Sequence, residues 1–287
     1  MILKDRNAII TGANQGFGYA IAKKFIEEGA SIIICARDKE KLNNAYDKLK
    51  KLSNSDQKII CKILDVSIEK DVELFIKESI NEFDKIDILV NNAGIYGPKG
   101  CIEDVSSKEW IKGIEINLFG IFYSCKYIIP HMKDNKYGKI INLSGGGATN
   151  PLPRISSYAA SKAAVVRLTE TLAEECKDFN IDINAVAPGA LNTRLLEEVL
   201  EAGPEVVGKT FYERSLKQKE NGGAPLDKGA SLIVYLASKK SDGITGKLIS
   251  AVWDPWNGFD KYIEELKTTD IYTLRRIVPE DRNRKWE

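Results

Sequence analysis

The sequence predicts a doubly wound α/β fold: a seven-stranded parallel sheet with helices on both faces. Two observations predict it. Short β-branched runs alternate with longer stretches of helical period along most of the 287 residues. The residues best suited to bind or react, Gly12, Arg37, Asp65, Asn92, Ser144 and Pro188, fall at the carboxyl ends of those runs, where sheets of this kind hold ligands.

The elements follow in order. NAIITG (7–12) reads as a buried strand, and a helix runs from about Gly18 to Glu28. SIIICAR (31–37) is a second strand, followed by the polar helical sequence DKEKLNNAYDKLKKL. IICKILDV (59–66) is a third; the helix over 68–83 then places Val72, Phe75, Ile76, Ser79, Ile80 and Phe83 on one face. KIDILVNNAG (85–94) is a fourth strand with a glycine stop, and a long helix covers 106–132. GKIINLSG (138–145) and a helix over 156–178 come next, then strands IDINAVAPG (181–189) and GKLISAV (246–252). Residues 1–252 form one domain. Between the last two strands, residues 190–230 are rich in Gly, Glu and Lys and read as an inserted helical lobe over the site.

Composition excludes several classes. The 42 basic residues balance 41 acidic ones, which gives no push toward nucleic acid or a membrane surface. No stretch is long and apolar enough to span a bilayer. Five scattered cysteines without a CxxC read as free thiols in a reducing, cytoplasmic setting. His131 is the only histidine and ends a helix, so no metal site is expected.

TGANQGFG (11–18) follows the first strand and opens the first helix. Gly12, Gly16 and Gly18 let the backbone turn sharply and approach a pyrophosphate at the helix N-terminus. An ordinary tight turn is the plainer alternative; the strand–turn–helix setting favours the phosphate loop. Tyr158 and Lys162, four apart on a helix, face the same way.

TGxxxGxG at 11–18, NNAG at 91–94 and YxxxK at 158–162, in this order, resemble the short-chain dehydrogenase/reductase family over about residues 5–252. The resemblance implies a Rossmann-like fold and a nicotinamide cofactor, and says almost nothing of the substrate. It places the cofactor against Gly12, Asn14, Gln15, Gly16, Phe17, Gly18, Arg37, Asp65, Val66, Asn92, Ala93, Gly94, Tyr158, Lys162, Pro188, Gly189 and Thr193. Ala36 stands where an acidic residue would accept bonds from a ribose hydroxyl, and Arg37 follows, suited to a 2′-phosphate. NADP(H) is therefore expected over NAD(H).

By the same resemblance Tyr158 is the acid/base, Lys162 lowers its pKa and holds the ribose, and Asn117 supports the proton relay. A hydroxyl donor to the substrate carbonyl is also required, and the family serine falls thirteen residues before Tyr158, where this chain has Gly145. Three readings stand open. The glycine run lets Ser144 reach the site; a backbone N–H of Gly145–Gly147 or the Thr149 hydroxyl donates instead; or the chain is a catalytically impaired cofactor-binding or sensing protein. The expected activity is hydride transfer to or from a small carbonyl or alcohol substrate, in a homodimer or homotetramer. The aromatic-rich extension at 253–287 is expected to pack on the domain or a neighbouring subunit. In a sharper version it closes over the pocket, with Arg275, Arg276, Arg282 and Arg284 meeting an anionic substrate.

Overall fold

A computed structural model describes residues 1–286. Its strands are β1 (Asn7–Thr11), β2 (Ser31–Ala36), β3 (Ile59–Ile63), β4 (Ile88–Asn91), β5 (Gly138–Leu143), β6 (Ile181–Ala187) and β7 (Leu248–Ser250). They form one sheet, every pair parallel, in the order β3-β2-β1-β4-β5-β6-β7. Each strand is shorter than its apolar run. The residues lost at the carboxyl ends, such as Gly12, Arg37, Leu64 and Asn92, leave the ladder to line a cleft.

Ala8–Ile10, Ile32–Ala36 and Ile88–Val90 are apolar without alternation because the sheet is covered on both faces. Successive side chains alternate between two cores. Ile10, Ile32 and Ile34 enter the layer built with α1 (Gly16–Glu27), α2 (Lys39–Lys50) and α9 (Leu226–Ala237). Ile9, Ile33 and Cys35 enter the layer built with α3 (Glu69–Phe83), α5 (Gly120–Asp134) and α6 (Ser156–Cys176). Each fully buried Ile contributes about 1.5–3 kcal/mol.

Three expectations need correction. The helix expected over 106–132 is α4 (Ser107–Ile114), a π turn (Glu115–Phe119) and α5. Residues 190–230 hold a helix pair, α7 (Arg194–Val207) and α8 (Lys209–Glu220), but their last part opens α9, which packs against α1 in the main body. His131 is half-buried; its Nε2 accepts the Ile86 N–H at 3.1 Å and joins α5 to the start of β4.

The end of the sheet opposite the cleft is fastened by charge. Lys139, on β5, is 1 % exposed and pairs with Asp182 at 2.6 Å and Asp242 at 2.7 Å. Asp87, also buried, is held by Arg6 at 2.7 Å and Lys85 at 3.1 Å.

Beyond β7 the chain packs on its own domain. Trp256, Phe259 and Leu266, the last on α10 (Ile263–Thr268), are buried in the layer of α1 and α9. The chain then runs beside β7: the Leu248 N–H donates to the Tyr272 carbonyl at 2.8 Å, and Lys247 Nζ to the Thr269 carbonyl at 2.7 Å. Arg275 is tied to Asp281 at 2.7 Å and to Asp270 at 3.0 Å. No helix among the described residues is long and apolar enough to cross a membrane.

Candidate active site

A cleft of about 1390 Å³ lies at the carboxyl ends of the strands. It runs from Arg37 and Asp65, past the glycine loop, to Tyr158 and Lys162, and on to α7, α8 and Trp253. Drug-sized ligands fill roughly 300–1000 Å³, so the space suits a dinucleotide and a second molecule.

The glycine loop is shaped by what lies behind it. Thr11 Oγ1 accepts the N–H groups of Asn92 and Ala93, each at 3.0 Å. The Asn92 amide donates to the carbonyls of Thr11 at 2.9 Å and Gly12 at 3.1 Å. Asn92 therefore holds the loop rather than offering its amide to a ligand. Gly12 has φ +64° and a Cβ there would lie 2.9 Å from the Ala93 backbone; at Gly18 it would lie 2.2 Å from the Gly12 carbonyl oxygen. Only glycine fits both places, and the resulting cradle fits a pyrophosphate.

At the far end, Asp65 accepts the Ser67 hydroxyl at 2.6 Å and faces Arg37 at 3.8 Å. Burial pushes the Asp65 pKa up, but the Ser67 bonds and the Arg37 charge outweigh it and hold the carboxylate below its usual range. Asp38 caps α2 by accepting the Lys41 N–H at 3.0 Å, and Lys41 lines the cleft beside Arg37. Val66, Gly94, Pro188, Gly189 and Thr193 line the middle. Phe17 lines it too, while its ring lies against Gly229 of α9.

Tyr158 and Lys162 rise from the first turns of α6, both buried. Lys162 Nζ donates to the Leu143 carbonyl at 2.6 Å and lies 5.6 Å from the centre of the Tyr158 ring. Burial brings the Lys162 pKa down to about 8. Burial and the neighbouring Tyr96 push the Tyr158 pKa upward. Lys162 Nζ is directed to the Leu143 carbonyl rather than to the Tyr158 hydroxyl. Tyr158 holds its proton, the form needed to donate it.

The other expected catalytic groups are placed differently. Asn117 is fully buried in the π turn and does not line the cleft. Its Oδ1 accepts the Ile95 N–H at 2.9 Å, and its Nδ2 donates to the Ile95 carbonyl at 2.8 Å and to Ser161 Oγ at 3.1 Å. It clamps the chain after β4 onto α6. Ser144 lines the cleft, and its Oγ turns to the Lys162 carbonyl, 3.4 Å away, so its hydroxyl faces the helix backbone. Thr149 is exposed, with its hydroxyl accepting from Asn150 at 3.2 Å.

Several lining residues escaped sequence reasoning. Tyr96 meets Tyr158 edge-on with ring centres 4.8 Å apart. Leu152, Leu196, Val199, Phe211 and Trp253 make an apolar wall, and Arg214 adds a cation without an ion-pair partner among the described residues. The spacing of Leu196 and Val199 on α7 was the available signal; Tyr96 had none beyond its place after NNAG. Of the 253–287 extension, Trp253 and Asp254 line the cleft, but the tail arginines do not, which corrects the reading that Arg275, Arg276, Arg282 and Arg284 meet the substrate there. Cys101, Glu103 and Asp104 gather on a loop outside the cleft.

Comparison with known proteins adds the following. The family model described as short chain dehydrogenase matches residues 6–203. A 3β-hydroxysteroid dehydrogenase of Eggerthella lenta is 36% identical, over 85% of this chain and 91% of that protein. A 3-oxoacyl-acyl-carrier-protein reductase of Thermotoga maritima is 32% identical, over 87% of this chain and 97% of that protein. The crystal structure of levodione reductase superposes with a TM-score of 0.79 at 28% identity, covering 86% of this chain and 96% of that one.

Proposed function

The chain belongs to the short-chain dehydrogenase family, and from that membership we propose that it is an NADP(H)-dependent oxidoreductase that reduces a bulky, largely apolar ketone to an alcohol. One observation carries this reading: a single cleft joins the glycine cradle to the Tyr158–Lys162 pair. A nicotinamide dinucleotide, when bound, supplies hydride at C4 of its ring. Tyr158 then gives its phenolic proton to the substrate oxygen. Lys162, charged below pH about 8, favours the phenolate left behind. Leu152, Leu196, Val199 and Phe211 keep water from the reacting atoms. The wall suits a ring system, in keeping with the relatives named for hydroxysteroids.

Arg37 and Lys41 support the choice of NADP(H), and the carboxylate of Asp38 is already committed to its helix cap. Arg214 gives an anionic substituent of the substrate a partner. The test is NADPH and NADH consumption with cyclohexanone and a 3-oxosteroid. NADPH is expected to be preferred about 10–100-fold in kcat/KM, the worth of one or two charge-assisted bonds, with Arg37→Ala erasing most of the ratio. Read against pH, reduction should fall about tenfold per unit above pH about 8 as Lys162 loses its proton. Tight NADPH binding without turnover would instead support the impaired, cofactor-sensing reading, which the orientation of Ser144 favours.

We also propose a homo-oligomer. Ile111, Phe119 and Phe122, on α4, the π turn and α5, are 53%, 41% and 44% exposed and form an apolar surface that no element among the described residues covers. Sedimentation velocity should give at least a dimer, and Phe119→Glu with Phe122→Glu should give a monomer; a monomeric parent protein refutes the proposal.

A further inference from the structure

The position of the missing serine is filled rather than vacant. A Cβ at Gly145 would lie 2.3 Å from Tyr158 Oη and 3.3 Å from its Cζ. The tyrosine hydroxyl therefore stands where a serine side chain would start. Ser144 lines the cleft as well, but its hydroxyl points to the Lys162 carbonyl, 3.4 Å away. Thr149 lies exposed at the rim. A side-chain donor, a hydroxyl without such a partner, stands beside Tyr158 instead.

We propose that Tyr96 is that donor, hydrogen-bonding the substrate oxygen beside Tyr158; this rests on the carbonyl-reductase reading above. The Tyr96 ring stands at 71° to that of Tyr158 with centres 4.8 Å apart, so both phenols belong to one wall. Both line the cleft, and neither hydroxyl has a hydrogen-bond partner among the described residues. Tyr96 is also held in place. Its neighbour Ile95 is gripped by Asn117 through both N–H and carbonyl, at 2.9 and 2.8 Å. On its other side lies Lys99 Nζ, 6.0 Å from the ring centre and itself fixed by Glu198 at 3.2 Å. Burial and the Glu198 charge push the Tyr96 pKa up to about 12, so its hydroxyl keeps its proton at neutral pH. The division of labour balances. As the C–H bond forms at the carbonyl carbon, the C=O pair moves to oxygen and takes the proton of Tyr158. Tyr96 donates a hydrogen bond, breaks no bond and keeps its proton. The donor strengthens as charge grows on the oxygen, which is where such groups act.

Tyr96→Phe keeps the ring and its contact with Tyr158, so the fold is retained. It should lower kcat for 3-oxosteroid reduction by about 10²–10³-fold, the cost of one such donor. NADPH Kd, read by fluorescence titration, should not change. The 3-oxosteroid Kd, read by calorimetry on cofactor-free protein, should rise much less than kcat falls. Ser144→Ala should stay within about threefold of the parent kcat, an unused donor carrying none of that cost. The proposal is overturned if Tyr96→Phe stays within about that same threefold, which would leave the Gly145–Gly147 amides as donors, or if Ser144→Ala costs as much as Tyr96→Phe. A parent protein that binds NADPH but reduces no ketone refutes the reductase reading, and this proposal falls with it.

Discussion

Gly145→Ser, which supplies the serine expected from the family resemblance, should lower kcat about 10²-fold instead of raising it. The added Cβ would begin 2.3 Å from Tyr158 Oη, more than an ångström inside ordinary contact. Tyr158 is only 9% exposed, is wedged against Tyr96 and springs from the first turn of α6. With two stiff torsions, the ring can escape only by carrying its hydroxyl away from the carbonyl position. A displacement of about 1 Å at a reacting group costs about 10²-fold. Steady-state kcat checks this, with thermal unfolding beside it to show that the variant still folds. An increase would mean that the tyrosine has slack and that the serine is tolerated.

Lys139→Ala should destabilise the fold by about 3 kcal/mol, the lower end of the usual cost of stripping one partner from a buried pair. The lower end applies because the Asp242 side chain is 55% exposed and regains water, whereas that of Asp182 is 11% exposed and does not. Asp182 would keep only the Gly243 N–H, at 3.1 Å. Denaturant unfolding reads the loss. The double variant Lys139→Met with Asp182→Leu should recover much of it, since no buried charge is then left alone. A loss below about 1 kcal/mol would show that water reaches this end of the sheet.

Much of this architecture is legible in the residues. The β1 and β2 runs are apolar without alternation over Ala8–Ile10 and Ile32–Ala36, and the two cores explain why, since Ile9 and Ile10 serve opposite faces. The same logic hid α9. Ala230 and every residue from Leu232 to Ala237 are buried, and a short continuous apolar run of this kind is not told from a buried strand by its pattern. The break at Asn117 is equally silent: a π turn adds one residue to a helix without changing its composition. At the site, the motifs indicated the cradle and the Tyr158–Lys162 pair. They did not show that burial and Tyr96 push the Tyr158 pKa upward, because that depends on packing from Tyr96 and the surrounding walls. The spacing revealed that position 145 lacks a side chain; what occupies the space appears only in three dimensions.

The stretch beyond β7 has a consequence for how the molecule behaves among copies of itself. A seven-stranded open sheet has two margins, each a ladder half unsatisfied and ready to accept a stranger's backbone. Here the segment around Tyr272 lies along the β7 margin and takes up the Leu248 N–H, while β3 stays open with Ile63 60% exposed. The extension thus acts as a selvedge, the finished border that keeps a cloth from being sewn on from that side. Growth by strand addition is left one direction instead of two, and a sheet that can be extended from one side only can pair once but cannot propagate into a fibre.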